Sequence, residues 1–191
     1  IAAAMGYLAW RRRWMAVTHW VIALAFGLAL TQLLGTTVHV VRPPAASSGF
    51  GFPSVAVTMA TIGFGFFALL IARELPGRRR VWPYLVSGAI VSLIGFARLY
   101  LGAHWLSDVV GGMLFGIFWL LVLGIAYRRR ATRAFWVKPV SWIFYGVFLT
   151  CAIVFAPRNL GTKLARFEPP PPLLMELPAS DWWDGQWRLL P

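Results

Sequence analysis

The sequence predicts an all-α protein built as a polytopic bundle of membrane helices, and three observations carry that expectation. The chain of 191 residues is 59% apolar and only 13% charged, and its mean hydropathy of +0.69 is too high for a water-exposed exterior. Five runs are long enough to cross a bilayer, which takes about 20 apolar residues rising about 1.5 Å each. The 18 Lys and Arg, against 6 Asp and Glu, cluster between those runs. A soluble protein that binds nucleic acid spreads its basic residues over a hydrophilic surface, so nucleic acid is set aside as a partner.

Taken in order, residues Ile1 to Trp10 (IAAAMGYLAW) are apolar but too short to span. They read as the tail of a sixth span of the complete domain, and no signal-peptide pattern accompanies them. Spans are expected at Val17 to Leu34, Ser54 to Ala72, Trp82 to Arg98, Leu106 to Tyr127 and Pro139 to Ala156. Glycines inside them (Gly63, Gly65, Gly111, Gly112, Gly116) serve close helix packing. The lone Cys151 excludes an intrachain disulfide framework. Residues 1–156 thus form one membrane domain. Pro169 to Pro172 and the Trp-rich tail DWWDGQWRLLP make residues 157–191 an extracytoplasmic linker into a further module.

Charge sets the orientation. Arg11 to Arg13, Arg73, Arg78 to Arg80, Arg128 to Arg130, Arg133 and Lys138 flank one set of span ends, whereas the interspan loops opposite hold only Arg42 and Arg98. Positive charge marks the cytoplasmic side, which puts loops 35–53 and 99–105 outside a bacterial inner membrane. The arginine clusters orient the chain and meet anionic headgroups.

Ionisable groups beside a membrane span are costly and therefore functional candidates. On the outer side these are His39, Arg42, Arg98, His104 and Asp108, with Ser54 at the start of a span. His104 and Asp108 are four apart, so in a helix both side chains would share a face, with the carboxylate fixing the imidazole tautomer for nucleophilic attack. A second reading stays open, in which Asp108 answers the helix dipole and His104 is an interfacial residue beside Trp105. Two guanidinium groups suit a phosphate-like anion. Ser54 with a helix N-terminus is either part of the same anion site or a simple N-cap. Together these residues point to phosphoryl chemistry.

The segment Arg98-Leu-Tyr-Leu-Gly-Ala-His104-Trp-Leu-Ser-Asp108 resembles the third motif of the type 2 phosphatidic acid phosphatase superfamily, with Arg, five residues, His, three residues and Asp. Arg42-Pro43 resembles the end of the first motif and Phe52-Pro53-Ser54 the start of the second. The resemblance implies His104 as phosphoryl acceptor, Asp108 as its orienting partner, and Arg42, Ser54 and Arg98 as the phosphate cradle. It implies a phosphorylated lipid as substrate, membrane lipids as surroundings, and neither metal nor cofactor. RLYLGAHWLSD followed by two glycines is similar to the phosphatase portion of bacterial fusions that join DedA-type and LssY-type domains, which implies covalently fused neighbours. The related vanadium haloperoxidases are soluble, which five spans argue against.

The pattern is incomplete. Gly35 stands where the first motif has Lys, Ala56 where the second has its His, Val55 where that motif has a small residue, and Ala97 where the third has Ser. The missing His is the family's general acid, and positioned acid–base catalysis is typically worth about 10²–10⁴ in rate. Two expectations follow: a lipid phosphatase, with His39 as the substitute acid, or an impaired member that binds phosphorylated lipids without turnover. A transporter would carry mid-span charge or broken helices, and none of the spans does. The orientation is checked by labelling intact cells with an impermeant thiol reagent in a Cys151→Ser background. Ala46→Cys is expected to label and Arg79→Cys to stay dark; the reverse pattern would overturn the orientation.

Overall fold

The structure is a computed structural model that describes residues 1–38, 40, 51–130 and 137–164. Every regular element among the described residues is helical. The helices are α1 (Ala2–Trp10), α2 (Trp14–Val38), α3 (Val55–Glu74), α4 (Val81–Tyr100), α5 (Leu106–Arg130) and α6 (Val137–Leu164), with a 3₁₀ turn at Gly77–Arg80 before α4. Five stretches, all but α1, are long and apolar enough to cross a membrane, as lipid requires of segments that must satisfy every backbone polar group internally. Each expected span matches one helix, with only Ser54, just before α3, falling outside. Two boundaries move: Gly35 belongs to the last turn of α2 rather than to a loop, and α6 runs on to Leu164, past Ala156.

The chain divides into two units, Ile1–Val147 and Phe148–Pro191. The division falls inside α6, earlier than the expected boundary after Ala156. In the second unit the described residues continue α6 to Leu164, and the Pro-rich and Trp-rich tail lies outside the described residues.

In the first unit α3 is the central helix. Its span is 67% buried, against 28% or less in the other four, and it packs on α2, α4 and α5. The surrounding helices turn large apolar side chains outward, among them Leu93, Phe96, Leu114 and Phe118, as a lipid-facing surface requires. Lipid tails are as apolar as leucine, so association of such helices rests on close contact and polar ties rather than on leaving water. Both are present. Phe67 stacks on Phe144 with ring centroids 3.8 Å apart, and Trp20 covers Phe67 at 5.9 Å. The Ser87 hydroxyl donates to the Phe64 carbonyl at 3.0 Å, joining α4 to α3, and the Trp119 indole donates to Ala23 at 3.1 Å, joining α5 to α2.

The seam between α3 and α5 is tight. A Cβ on Gly112 would lie 2.9 Å from Thr58 Oγ1 and 3.1 Å from the Ser54 carbonyl oxygen, and one on Gly116 would lie 2.7 Å from Thr61 Cγ2. The two glycines, one turn apart, therefore let the backbones approach where any side chain would part them. Helix direction alternates along the chain, so Arg11 to Arg13, Arg73 and Arg78 to Arg80 gather at one end of this unit. Ser54, Arg98, His104 and Asp108 lie at the other.

Replacing Gly116 by Leu is expected to overpack this seam at a cost of about 1–3 kcal/mol, read as a lower melting temperature in detergent. Gly6→Ala adds a methyl with nothing within 4 Å and serves as the neutral control. A Gly116→Leu protein that melts with wild type would contradict the close approach.

Candidate active site

The site is assembled where the turn between α4 and α5 meets the start of α3. Helix α4 ends in a reversal: Leu101 N–H bonds Ala97 O at 3.1 Å, Gly102 N–H bonds Leu99 O at 2.9 Å and Ala103 N–H bonds Arg98 O at 3.0 Å. Gly102 adopts φ +58, a left-handed conformation that L side chains pay to enter and glycine does not. The turn delivers His104 against the segment leading into α3.

His104 is 7% exposed and Asp108 fully buried. His104 lies in the turn before α5, not on it, so the expected helical pairing is corrected: the two side chains meet by capping geometry. Asp108 is the third residue of α5, and its Oδ2 accepts the N–H of Trp105, the residue just before the helix, at 3.0 Å. That reach-back satisfies one of the donors a helix start leaves over, and a carboxylate is favoured at the positive end of the dipole. The same Oδ2 is 3.5 Å from His104 Nδ1. One oxygen thus serves the helix start and lies near the imidazole.

The nearer partner of the imidazole is a different group. His104 Nδ1 is 3.1 Å from the Gly51 carbonyl oxygen. A carbonyl can only accept, so Nδ1 carries the proton and the lone pair resides on Nε2. Sequence reasoning missed Gly51, because a backbone acceptor leaves no residue-type signal; only its place two residues before Pro53 hinted at a sharp turn. It also named Gly112 for packing without seeing that its missing side chain lets α5 reach the Ser54 carbonyl.

Ser54 is fully buried at the start of α3. Its N–H donates to the Asp108 carbonyl at 3.1 Å, tying the starts of α3 and α5 together. Its hydroxyl makes no capping bond, which removes the simple N-cap reading. Ser54 Oγ and Asp108 Oδ1 are both buried without a hydrogen-bond partner among the described residues. Burying a polar group without a partner costs about 1–3 kcal/mol, so two in one place mark a site built to meet something polar.

Arg98, in the last turn of α4, is half-buried and forms no ion pair among the described residues. The structure therefore brings His104, Asp108 and Ser54 into one cluster and sets Arg98 at the start of the same turn. Arg42 and His39 lie outside the described residues. Gly35 is buried in α2 and Ala56 stands in the first turn of α3, where neither supplies a titratable group. No group of three His, Cys, Asp or Glu that could hold a metal occurs among the described residues.

Comparison with known proteins places the chain in a family. The family model of the PAP2 superfamily matches residues 16–131, which contain every candidate side chain. The chain is 30% identical over 137 residues to phosphatidylglycerophosphatase B of Bacillus subtilis, covering 67% of this chain and 66% of that protein. It is 32% identical over 93 residues to undecaprenyl-diphosphatase BcrC of the same organism, covering 49% of this chain and 40% of that one. The chain thus spans two thirds or less of these relatives' lengths. The crystal structure of a transmembrane PAP2-type phosphatidylglycerolphosphate phosphatase from Bacillus subtilis superposes with a TM-score of 0.60 at 25% identity, over 69% of this chain and 68% of that one.

With three histidines in the chain, ring-labelled ¹⁵N-histidine spectra can resolve His104 against a His104→Gln reference. The expected neutral tautomer is Nδ1–H, and it persists in Asp108→Asn because the Gly51 carbonyl holds the proton. An Nε2–H ring in the wild type would contradict the Gly51 bond.

Proposed function

The chain belongs to the PAP2 superfamily, and from that premise we propose that it is an integral membrane lipid phosphatase working through a phosphohistidine. The observation that carries the proposal is the buried His104 whose Nδ1–H is held by the Gly51 carbonyl, beside the buried, unpartnered Ser54 hydroxyl. The Nε2 lone pair attacks phosphorus, a P–N bond forms, and the P–O bond to the leaving group breaks with its electron pair on oxygen. Water then attacks the phosphohistidine, the P–N electron pair returns to Nε2, and inorganic phosphate leaves. The imidazolium-like charge that builds on the ring during attack is offset by Asp108 Oδ2, 3.5 Å from Nδ1.

Phosphoryl transfer asks mainly for positioning and for fixed charge around the equatorial oxygens. Arg98, Arg42 and the Ser54 hydroxyl with the N-terminus of α3 supply it in this reading. The scheme needs neither metal nor cofactor. Departure of an alcohol calls for an acid, and Ala56 cannot provide one; His39 is the candidate substitute. From a polyprenyl diphosphate the leaving group is the polyprenyl phosphate, with a lower pKa than an alcohol and less need of protonation, so a diphosphate suits this chain better than a phosphomonoester. The undecaprenyl-diphosphatase among its relatives fits that preference, and the phosphatidylglycerophosphatase represents the monoester alternative. Gly35 and Ala56 favour one second reading, a member that binds phosphorylated lipids without turning them over. The arginine-poor end that holds the site faces out of the bacterial inner membrane in this reading.

The test is phosphate release in proteoliposomes from a polyprenyl diphosphate and from phosphatidic acid. His104→Ala is expected to lower release by about 10³-fold or more, as loss of a nucleophile does, and Arg98→Ala by about 10²–10³, as loss of an oxyanion donor does. Release that survives His104→Ala would overturn the mechanism, and lipid binding without release in the wild type would select the binding-only reading.

A further inference from the structure

Three glycines of α5 lie near the site, and they face different things. A Cβ on Gly112 or Gly116 would meet Thr58, Thr61 and the Ser54 carbonyl, all on α3 or at its start. A Cβ on Gly111 would meet something else: its three nearest atoms all belong to the Phe52 ring, with Cζ at 2.8 Å, Cδ2 at 3.3 Å and Cε2 nearer still. Gly111, expected from the sequence to serve helix packing, is therefore the seat of an aromatic side chain from the segment that leads into α3.

Phe52 follows Gly51, whose carbonyl stands 3.1 Å from His104 Nδ1. That carbonyl and the Phe52 Cα share one planar peptide unit, so the seating of the ring bears on where the oxygen stands. The segment is held on both sides of the ring. Gly51 N–H donates to Val40 O at 3.1 Å, and Ser54 N–H donates to the Asp108 carbonyl at 3.1 Å. Asp108 and Gly111 are three apart on α5, about 4.5 Å of rise and on neighbouring turns of one face. Residues 51–54 are thus fastened to α5 at two adjacent points, one a hydrogen bond and the other a ring contact.

Resting on the phosphatase reading, we propose that Phe52 and Gly111 are a positioning pair: the ring seated on the bare backbone of α5 sets the Gly51 carbonyl at hydrogen-bond distance from His104, and so keeps the Nε2 lone pair aimed for attack. Neither side chain can bond phosphate or move a proton, so both act through the carbonyl. The nearest neighbours of the seat are atoms of Phe52 and not of the α3 backbone, so a methyl added there displaces the segment before it parts the helices. A displacement of about 1 Å in a reacting group can cost about 10²-fold in rate, which makes such a seat consequential for the reaction.

The test is a size swap between the two positions. Gly111→Ala pushes a methyl into the ring, and Phe52→Leu withdraws the ring edge. A leucine reaches only as far as the ring's Cδ atoms, and a methyl 3.3 Å from Cδ2 is accommodated by a small shift. In proteoliposomes each single variant is expected to lower kcat about 10-fold to 100-fold with KM within about twofold of wild type. The double variant is expected to recover to within about threefold of wild type, the non-additivity of two residues in contact. Losses that add in the double variant, or single variants that keep the wild-type kcat, would overturn the proposal. The second readout needs no turnover. In ring-labelled ¹⁵N-histidine spectra, His104 in Asp108→Ala is expected to keep its Nδ1–H tautomer, since the Gly51 carbonyl remains as acceptor. Adding Gly111→Ala to that variant is expected to give a mixture with the Nε2–H form. Loss of Nδ1–H already in Asp108→Ala, or an unchanged tautomer when Gly111→Ala is added, would overturn the pairing. A tautomer that moves as expected in a protein whose wild type releases no phosphate would sustain the pairing and sink the phosphatase reading.

Discussion

Helices α3 and α5 approach so closely at Gly112 that one methyl group there would meet the Ser54 carbonyl oxygen at 3.1 Å. The rest of the first unit depends on that approach. In a bilayer there is little to gain from hiding leucine from lipid, so helices hold together where backbones come near enough for many weak contacts at once. The glycines on α5 permit it, and α3 becomes the central helix on which α2 and α4 also pack. The approach brings the starts of α3 and α5 within hydrogen-bond distance, Ser54 N–H to Asp108 C=O at 3.1 Å. A fold built for packing thereby places a hydroxyl, a carboxylate and an imidazole together at one end of an apolar bundle.

The chemistry of that end follows from low dielectric and from what each group already bonds. Asp108 Oδ2 serves the helix start and lies near the imidazole, while Oδ1 and the Ser54 hydroxyl have no partner among the described residues. Such groups are costly when left alone and strong when met by a complementary ligand. The carbonyl of Gly51, at 3.1 Å, lies nearer the imidazole Nδ1 than Asp108 Oδ2 at 3.5 Å, and it carries no charge. In the proposed mechanism the carboxylate stabilises the ring when the ring becomes positive.

The segment that faces the imidazole is fastened to the same helix that carries the carboxylate. Ser54 N–H meets the Asp108 carbonyl, and the Phe52 ring meets Gly111 one turn further along α5. Residues 51–54 therefore cannot shift against α5 without disturbing both contacts. Gly112 and Gly116 face α3 while Gly111 faces Phe52, so substitutions at these neighbouring glycines act on different things: the first two on how closely the helices pack, the third on where the Gly51 carbonyl stands.

Much of this was legible in the sequence. Hydropathy is a local sum, so the positions of the five spans followed from run length alone, and each matched one helix to within a residue or a few. Arginine clusters are equally local, and they separated the two ends. The four-residue spacing of His104 and Asp108 announced a pair, although the contact proved to come from a capped turn rather than a helical face. Which helix lies at the centre was not legible: α3 and α5 have mean hydropathies of 2.2 and 2.4, yet the first is 67% and the second 28% buried. Lipid-facing and protein-facing surfaces are both apolar, so composition cannot tell them apart. The acceptor of the His104 proton was not legible either, because every residue carries a backbone carbonyl. Sequence by itself determined which segments span, which end bears the charge and which side chains could do chemistry, since each of these is a property of neighbours along the chain. Only the tertiary structure decided that α3 is central, that Gly51 holds the imidazole and that Gly111 meets the Phe52 ring, since each depends on the distance between segments far apart in sequence.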